Sequence, residues 1–93
     1  MNYKINYSEE VLKKDLNLID KKQVRKILMK IDKILGFTPK NYSNSIKALK
    51  GNLEGLFRLK VGDYRVIYKI FEDVSEILIL KIGHRREVYR KSK

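Results

Sequence analysis

The stretch "LFRLKVGDYRVIYK" (residues 56–69) decides the fold, because it reads as two β-strands joined by a tight turn. β-branched and aromatic residues flank Gly62-Asp63, a dipeptide typical of two-residue hairpin connections. The predicted strands cover residues 56–61 and 64–71. The same stretch carries four cations among residues that favour burial: Arg58, Lys60, Arg65 and Lys69.

Strand side chains alternate between the two faces of a sheet, and here the alternation separates apolar from basic residues. The apolar set is expected to pack against helices, which leaves the basic set on an open face. Facing side chains of paired strands lie within roughly 5 Å, so like charges there repel and the cluster costs stability unless an anion binds. The alternative is a solvated edge with weak surface ion pairs to Asp63, Glu72 or Glu54. The apolar set is Phe57, Leu59, Val61, Tyr64, Val66, Tyr68 and Ile70, and the opposite set is Arg58, Lys60, Arg65, Ile67 and Lys69.

The flanking sequence predicts a third hairpin strand at 76–82, a first strand at 3–7, and two helices between. Ser8 is a plausible N-cap for a helix at 8–19, and Asp20 with Gln23 forms a capping box for a helix at 21–35 that ends near Gly36 and Pro39. Residues 38–55 are turn-rich, with one possible helical turn at 46–49. The tail from residue 84 reads as a short helix or a frayed end.

The prediction is one α+β domain over 1–93, β-α-α-β-β-β, with a helix hairpin on one face of a largely antiparallel sheet. The helices are expected to pack on Phe57, Leu59, Val66, Tyr68, Leu78 and Leu80.

Composition narrows the function classes. The 93 residues carry a net charge of +11, which favours a nucleic acid, an acidic protein or an anionic membrane surface as partner. The alternative is a lysine-rich proteome with solvated surfaces. There are no cysteines, which excludes disulfides and thiolate metal sites. No apolar run approaches the roughly 20 residues of a membrane span, and the N-terminus lacks a signal-peptide core, so we expect a cytoplasmic protein.

The segment "GHRREVYR" (83–90) groups side chains suited to phosphate chemistry directly after the last predicted strand. His84 can exchange a proton near neutral pH, Arg85 or Arg86 can hold a phosphate bidentately, and Tyr89 can stack on a base or transfer a proton. The alternatives are an ordinary surface histidine and a tyrosine that caps the core. The sequence has no glycine-rich phosphate loop, suggestive carboxylate pair or cluster of metal ligands. Phosphate-centred chemistry without a metal remains, with the 2′-hydroxyl of RNA as an available internal nucleophile.

"LKGNLEGLFRLKVGDYRVIYKI" followed by "ILILKIGHRREVYR" strongly resembles the RelE/ParE superfamily of toxin–antitoxin toxins, on the RelE side. The resemblance covers residues 48–90 well and the start of the chain more loosely. It implies a RelE-like fold and a ribosome-dependent mRNA endonuclease that uses the 2′-hydroxyl as nucleophile, with no metal and no cofactor. The implied partners are a RelB-like antitoxin, the ribosome and mRNA, with no membrane.

Carried over residue by residue, the resemblance implies that Arg65 stabilises the transition state and that Arg85 and Tyr89 join it in catalysis. His84 and Lys60 complete the implied catalytic set, and the general base stays open between Tyr89, His84 and Lys60. The ParE branch, which poisons DNA gyrase by binding, is the main alternative, and a non-catalytic RNA-binding module is a third. The implied RNA-binding residues are Arg58, Lys69, Arg86 and Arg90.

Overall fold

The computed structural model describes residues 3–37, 39 and 45–89. Two helices pack on one side of a five-stranded sheet, which confirms the predicted α+β class. Strand β1 (Lys4–Tyr7) leads into helix α1 (Glu9–Lys13), a 3-10 turn (Asp15–Leu18) and helix α2 (Lys21–Lys30) with a π-helical end (Ile31–Leu35). The remaining strands are β2 (Ile46–Ala48), β3 (Phe57–Val61), β4 (Tyr64–Phe71) and β5 (Glu76–His84).

The sheet order is β1-β5-β4-β3-β2. Strands β2 to β5 pair antiparallel, and β1 pairs with β5 in parallel. The two helices carry the chain from β1 across the sheet to β2 at the opposite edge. α1 packs against β5 and α2 against β3, so both helices cover the same face. The opposite face of the sheet is left open by them.

The first helix is shorter than the predicted 8–19. Ser8 is its N-cap, as predicted, and its hydroxyl oxygen accepts a hydrogen bond from the Val11 N–H at 3.2 Å. The helix ends at Lys13, whose carbonyl accepts from the Asn17 side-chain amide at 2.9 Å. The chain then tightens into the 3-10 turn, which buries the Asp15 carboxylate against β5, where it accepts from the Ile82 N–H at 2.9 Å. The chain makes this contact in the segment where the sequence predicts that the α-helix continues to residue 19.

The second helix follows the prediction closely in its bounds. The Asp20 carboxylate caps it by accepting from the Lys22 N–H at 3.1 Å. Its last turn is π-helical and ends at Gly36. A Cβ at Gly36 would lie 2.8 Å from the Asp32 carbonyl oxygen, so glycine is required there by close approach of the backbone.

The predicted helical turn at 46–49 is wrong, because Ile46–Ala48 is the edge strand β2. Ile46 pairs with Leu59 and Lys47 with Arg58. The free edge of β3 offers unpaired backbone groups, and pairing with it satisfies more of them than an isolated helical turn could. The Ile46 side chain is buried in the core as a result.

The core lies between the helices and the near face of the sheet. Leu59, Val66 and Tyr68 are fully buried as predicted, and Phe57 stacks on Tyr68 with ring centroids 5.7 Å apart. The buried cluster is Val11, Ile27, Ile31, Leu35, Ile46, Leu59, Val66, Tyr68, Ile77, Ile79 and Ile82.

The prediction that Leu78 and Leu80 join this core is wrong. Tyr68 pairs with Ile79 and Ile67 with Lys81, so Leu80 is an extra residue at a β-bulge. The bulge keeps isoleucines on the helix side before and after it, and Leu78, paired with Lys69, lies on the other face. The run "ILIL" is uniformly apolar, so its own pattern does not show which alternate residues face the helices.

Candidate nucleic-acid interface

The open side of the sheet carries a basic face, which consists of Lys47, Arg58, Lys60, Arg65 and Lys69. Lys60 pairs directly with Arg65 across β3 and β4, and Lys47 pairs with Arg58 across β2 and β3. Cross-strand partners share a face of the sheet, with side chains about 5 Å apart. The structure therefore places two pairs of like charges next to each other, two residues apart along β3.

Among the described residues, no carboxylate neutralises these two pairs. The ion pairs that join described residues are Glu9–Lys13, Glu10–Lys81, Asp15–Lys81 and Asp63–Arg85. The Nε atom of Arg58 is buried and has no hydrogen-bond acceptor in the described part of the chain. A buried N–H without an acceptor is costly to the fold, whereas the repulsion between the exposed cations is a cost that an anion on this face would remove. Lys69 lies farther along β4, with its Nζ 5.0 Å from the centre of the Phe71 ring.

Arg65 and Arg85 both contact the β3–β4 turn. Gly62 adopts a φ of 60°, and the Nη1 atom of Arg65 donates to the Gly62 carbonyl at 2.9 Å and the Tyr64 carbonyl at 3.0 Å. The backbone N–H of Arg85 donates to the Asp63 carbonyl at 2.7 Å, and its Nε lies 3.9 Å from the Asp63 carboxylate. That long, exposed ion pair contributes little to stability, so the Arg85 guanidinium is available to a ligand.

His84 lies on the other side of the sheet from the basic face. It pairs with Tyr64, which packs against the core, and the two rings meet edge to face with centroids 5.8 Å apart. Both rings line a cavity of about 270 Å³ beside the 3-10 turn. The His84 Nδ1 atom accepts from the Arg86 backbone N–H at 3.2 Å, which leaves the proton of the neutral imidazole on Nε2.

Residues 85–89 after β5 form a series of turns, where the sequence suggests a short helix or a frayed tail, and residues 90–93 of that tail lie outside the described residues. The His84 carbonyl accepts from the backbone N–H groups of Glu87 and Val88, which folds Val88 back onto Gly83. Val88 is buried, while the side chains of Arg86 and Tyr89 are exposed. Arg90 lies outside the described residues. The fold thus holds Tyr89 at the end of a short anchored segment, four residues beyond Arg85.

Lys47 belongs to the basic face, although the sequence pattern does not reveal it, because residues 46–49 are predicted as a helical turn. A three-residue edge strand has too few positions to show alternation. A usable signal is the order isoleucine then lysine in "SIKAL", which places an apolar and a basic residue on opposite faces if the segment is extended.

The described part of the chain has neither a metal-binding cluster nor a membrane-spanning helix. No group of three or more histidine, aspartate and glutamate side chains is placed there to hold a metal ion. None of the helices in residues 3–37, 39 and 45–89 is long and apolar enough to cross a bilayer.

The sequence and the fold match a known class of protein. Residues 5–89 match the family model described as "ParE toxin of type II toxin-antitoxin system, parDE". The chain therefore belongs to this family, within the RelE/ParE superfamily of toxin–antitoxin toxins.

Solved structures of RelE proteins share the fold along almost the whole chain. The RelE–RelB complex of the archaeon Pyrococcus horikoshii OT3 is 30% identical, with a TM-score of 0.74, and the match covers 95% of this chain and 100% of that one. The toxin–antitoxin complex RelBE2 of Mycobacterium tuberculosis is 22% identical, with a TM-score of 0.77 over 91% of this chain and 100% of that one. At that identity the second likeness shows the fold alone.

A curated relative adds a partial match. Toxin RelG of Mycobacterium tuberculosis strain ATCC 25618 / H37Rv is 36% identical over 45 residues. The match covers 48% of this chain and 52% of the relative, so the chain aligns with about half of that protein's length.

Proposed function

We propose that the protein is a toxin that cleaves mRNA on the ribosome, with the RNA 2′-hydroxyl as nucleophile and no metal or cofactor. Its site of action would be the cytoplasm, where ribosomes translate. The observation that carries the proposal is the basic face: two adjacent pairs of cations without a carboxylate partner among the described residues. An RNA phosphate supplies the missing negative charge.

The cleavage step follows from the chemistry of RNA. The 2′-oxygen attacks the neighbouring phosphorus and forms a new P–O bond, the bond from phosphorus to the 5′-oxygen breaks, and a 2′,3′-cyclic phosphate and a 5′-hydroxyl result. One proton leaves the 2′-hydroxyl and one is delivered to the departing 5′-oxygen. Negative charge grows on the phosphoryl oxygens during this step, so fixed cations beside them lower the barrier.

Arg65 is suited to that role because the turn fixes its position. Of the five N–H donors of a guanidinium, the two on Nη1 are directed to the Gly62 and Tyr64 carbonyls. The donors on Nε and Nη2 stay available to a phosphate. In this proposal Arg65 and Arg85 hold the scissile phosphate from the turn, and Lys60 supports them from β3.

The proton-transfer residue is one of Tyr89, Lys60 and His84. The Nδ1 lone pair of His84 is already used by the Arg86 N–H, and the ring faces the helix side of the sheet. Both observations favour Tyr89 or Lys60 as the base. Tyr89→Phe, Lys60→Ala and His84→Ala separate the candidates, since loss of the base lowers kcat more than it raises KM.

A RelB-like antitoxin is the proposed protein partner. The support is the structural likeness to RelE proteins solved in complex with RelB, together with the net charge of +11. An acidic or amphipathic segment that folds on binding would complement this surface. A protein encoded beside the toxin should bind it tightly and abolish cleavage. An active toxin that ignores that protein would contradict this part of the proposal.

A ParE-like poison of DNA gyrase is the second candidate, favoured by the name of the matching family model. Purified protein added to programmed ribosomes and, separately, to gyrase with supercoiled DNA distinguishes the two. Codon-phased mRNA breaks without gyrase-dependent DNA breaks support the nuclease. DNA breaks alone support the gyrase poison. If neither kind of break is found, the protein acts as a non-catalytic binding module.

A further inference from the structure

We propose that Lys47 and Arg58 form a second phosphate site on the basic face, one nucleotide away from the phosphate that Lys60, Arg65 and Arg85 hold. The ligand is a phosphodiester of single-stranded RNA. This inference rests on the proposed function, because it extends the same RNA path across the sheet. Its first support is that β2 brings Lys47 beside Arg58, on the same face as the Lys60–Arg65 pair.

The spacing of the two pairs suits a nucleic-acid backbone. Arg58 and Lys60 are two residues apart on β3, and a strand rises about 3.3–3.4 Å per residue, so these two residues are almost 7 Å apart. Lys47 and Arg65 lie on opposite sides of β3 and neighbouring strands are about 4.8 Å apart, so the centres of the two pairs are about 8 Å apart. That distance is comparable with the separation of consecutive phosphates on an extended single strand. A compact anion could occupy one pair, whereas an extended strand can occupy both at once.

The charges of the second site point to a ligand there. Arg58 is partly exposed, Lys47 next to it is exposed, and neither has a carboxylate partner among the described residues. A phosphate between the two cations would accept charge-assisted hydrogen bonds from both and neutralise the pair.

Salt dependence tests the site without relying on catalysis. Each phosphate contact to a single strand contributes about 0.7 to the slope of log K against log salt concentration. The probe is a short fluorescent oligouridine with 2′-O-methyl sugars, which has no 2′-hydroxyl and cannot be cleaved by internal attack. Binding to the purified full chain is measured by fluorescence anisotropy over a range of salt concentrations.

Five variants make the test specific. Lys47→Ala and Lys60→Ala should each reduce the slope by about 0.7, and the double variant should reduce it by about 1.4, since two different phosphates lose a contact. Lys47→Arg keeps the charge and should retain the slope. Lys26→Ala removes an equal charge from an exposed position on α2, on the helix-covered side, and should leave the slope unchanged.

The proposal is overturned if wild-type protein fails to bind the probe at low salt, or if Lys47→Ala keeps the wild-type slope. It is also overturned if the double variant loses no more than either single one, because both lysines would then serve one phosphate. Cleavage on programmed ribosomes is measured separately. If the reductions in slope are additive but no cleavage occurs, the nuclease proposal is refuted and the second phosphate site stands. If cleavage occurs but Lys47→Ala keeps the wild-type slope, the second phosphate site is refuted and the nuclease proposal stands.

Discussion

The two faces of the β3–β4 hairpin differ sharply, although they are built from alternate residues of the same two strands. Leu59 and Val66 pair across the strands on the helix side and are 0% exposed. Their chain neighbours Lys60 and Arg65 pair on the open side and have no carboxylate partner among the described residues. The first face stabilises the fold through apolar burial, and the second face carries like charges that repel each other. Substitutions one residue apart should therefore separate folding from function.

Leu59→Ala should produce the largest effect, on the buried face. A fully buried leucine truncated to alanine loses transfer free energy and leaves a cavity, which typically costs about 2–5 kcal/mol of unfolding free energy. Urea denaturation of both proteins measures the change. The neighbouring Lys60→Ala is the matched control and should alter stability by less than about 0.5 kcal/mol. A stable Leu59→Ala protein would show that this face is not the core.

Arg65→Ala should lower the rate of mRNA cleavage on ribosomes by about 10²–10³-fold while the protein stays folded. The reason is the loss of a fixed cation beside the developing phosphoryl charge. Arg25→Ala, which removes an exposed arginine from α2, is the control and should keep the wild-type rate. Full activity in Arg65→Ala would make the basic face a docking surface and remove Arg65 from the catalytic set.

Asp15→Ala should destabilise the protein by about 1–3 kcal/mol, because the buried Ile82 N–H loses its acceptor. The Lys81 ammonium, 3.5 Å from the Asp15 carboxylate, loses a partner in the same change. Asp73→Ala removes an exposed carboxylate and serves as the control in thermal unfolding. An unchanged melting temperature for Asp15→Ala would show that the 3-10 turn is not held to β5 by this contact.

The effect of the Tyr7 hydroxyl on the pH dependence of stability should be confined to high pH. Burial, with a further contribution from the Asp32 carboxylate, raises the pKa of Tyr7 from 10.0 to about 12. The folded state therefore holds this proton more tightly than the unfolded state, so the stabilisation is complete below pH 10 and is lost as pH rises towards 12. The wild type should therefore lose unfolding free energy relative to Tyr7→Phe as pH rises across that interval. A difference that is independent of pH between 9 and about 12 would contradict the raised pKa.

The contrast between the two faces also explains what the sequence could predict. In residues 56–69 apolar and basic side chains alternate, so the core face and most of the basic face follow from the pattern alone. In residues 77–80 every position is apolar, and only pairing with β4 and the bulge at Leu80 decides which residues are buried. The position of Lys47 on the basic face depends on the pairing of β2 with the free edge of β3. That pairing is a long-range contact, which the three residues of β2 do not encode locally.

His84 shows the same limit at the candidate site. Its place in the sequence beside Arg85 predicts a shared site, but strand pairing with Tyr64 turns its ring to the helix side. Proximity in sequence is a poor guide at the end of a strand, because successive residues face opposite ways. The convergence of Arg65 and Arg85 on one turn was predictable from the resemblance, while the Asp63 carbonyl that joins them was visible only in the structure.

The most direct test of the central claim is cleavage of an mRNA that carries a single 2′-deoxy nucleotide at the mapped cut site. Programmed ribosomes with the deoxy mRNA and with the unmodified mRNA are incubated with the wild-type protein, and the products are resolved by primer extension. The account predicts a codon-phased break in the unmodified mRNA and none at the modified position, because the internal nucleophile is missing. Equal cleavage of both mRNAs would contradict the proposed mechanism.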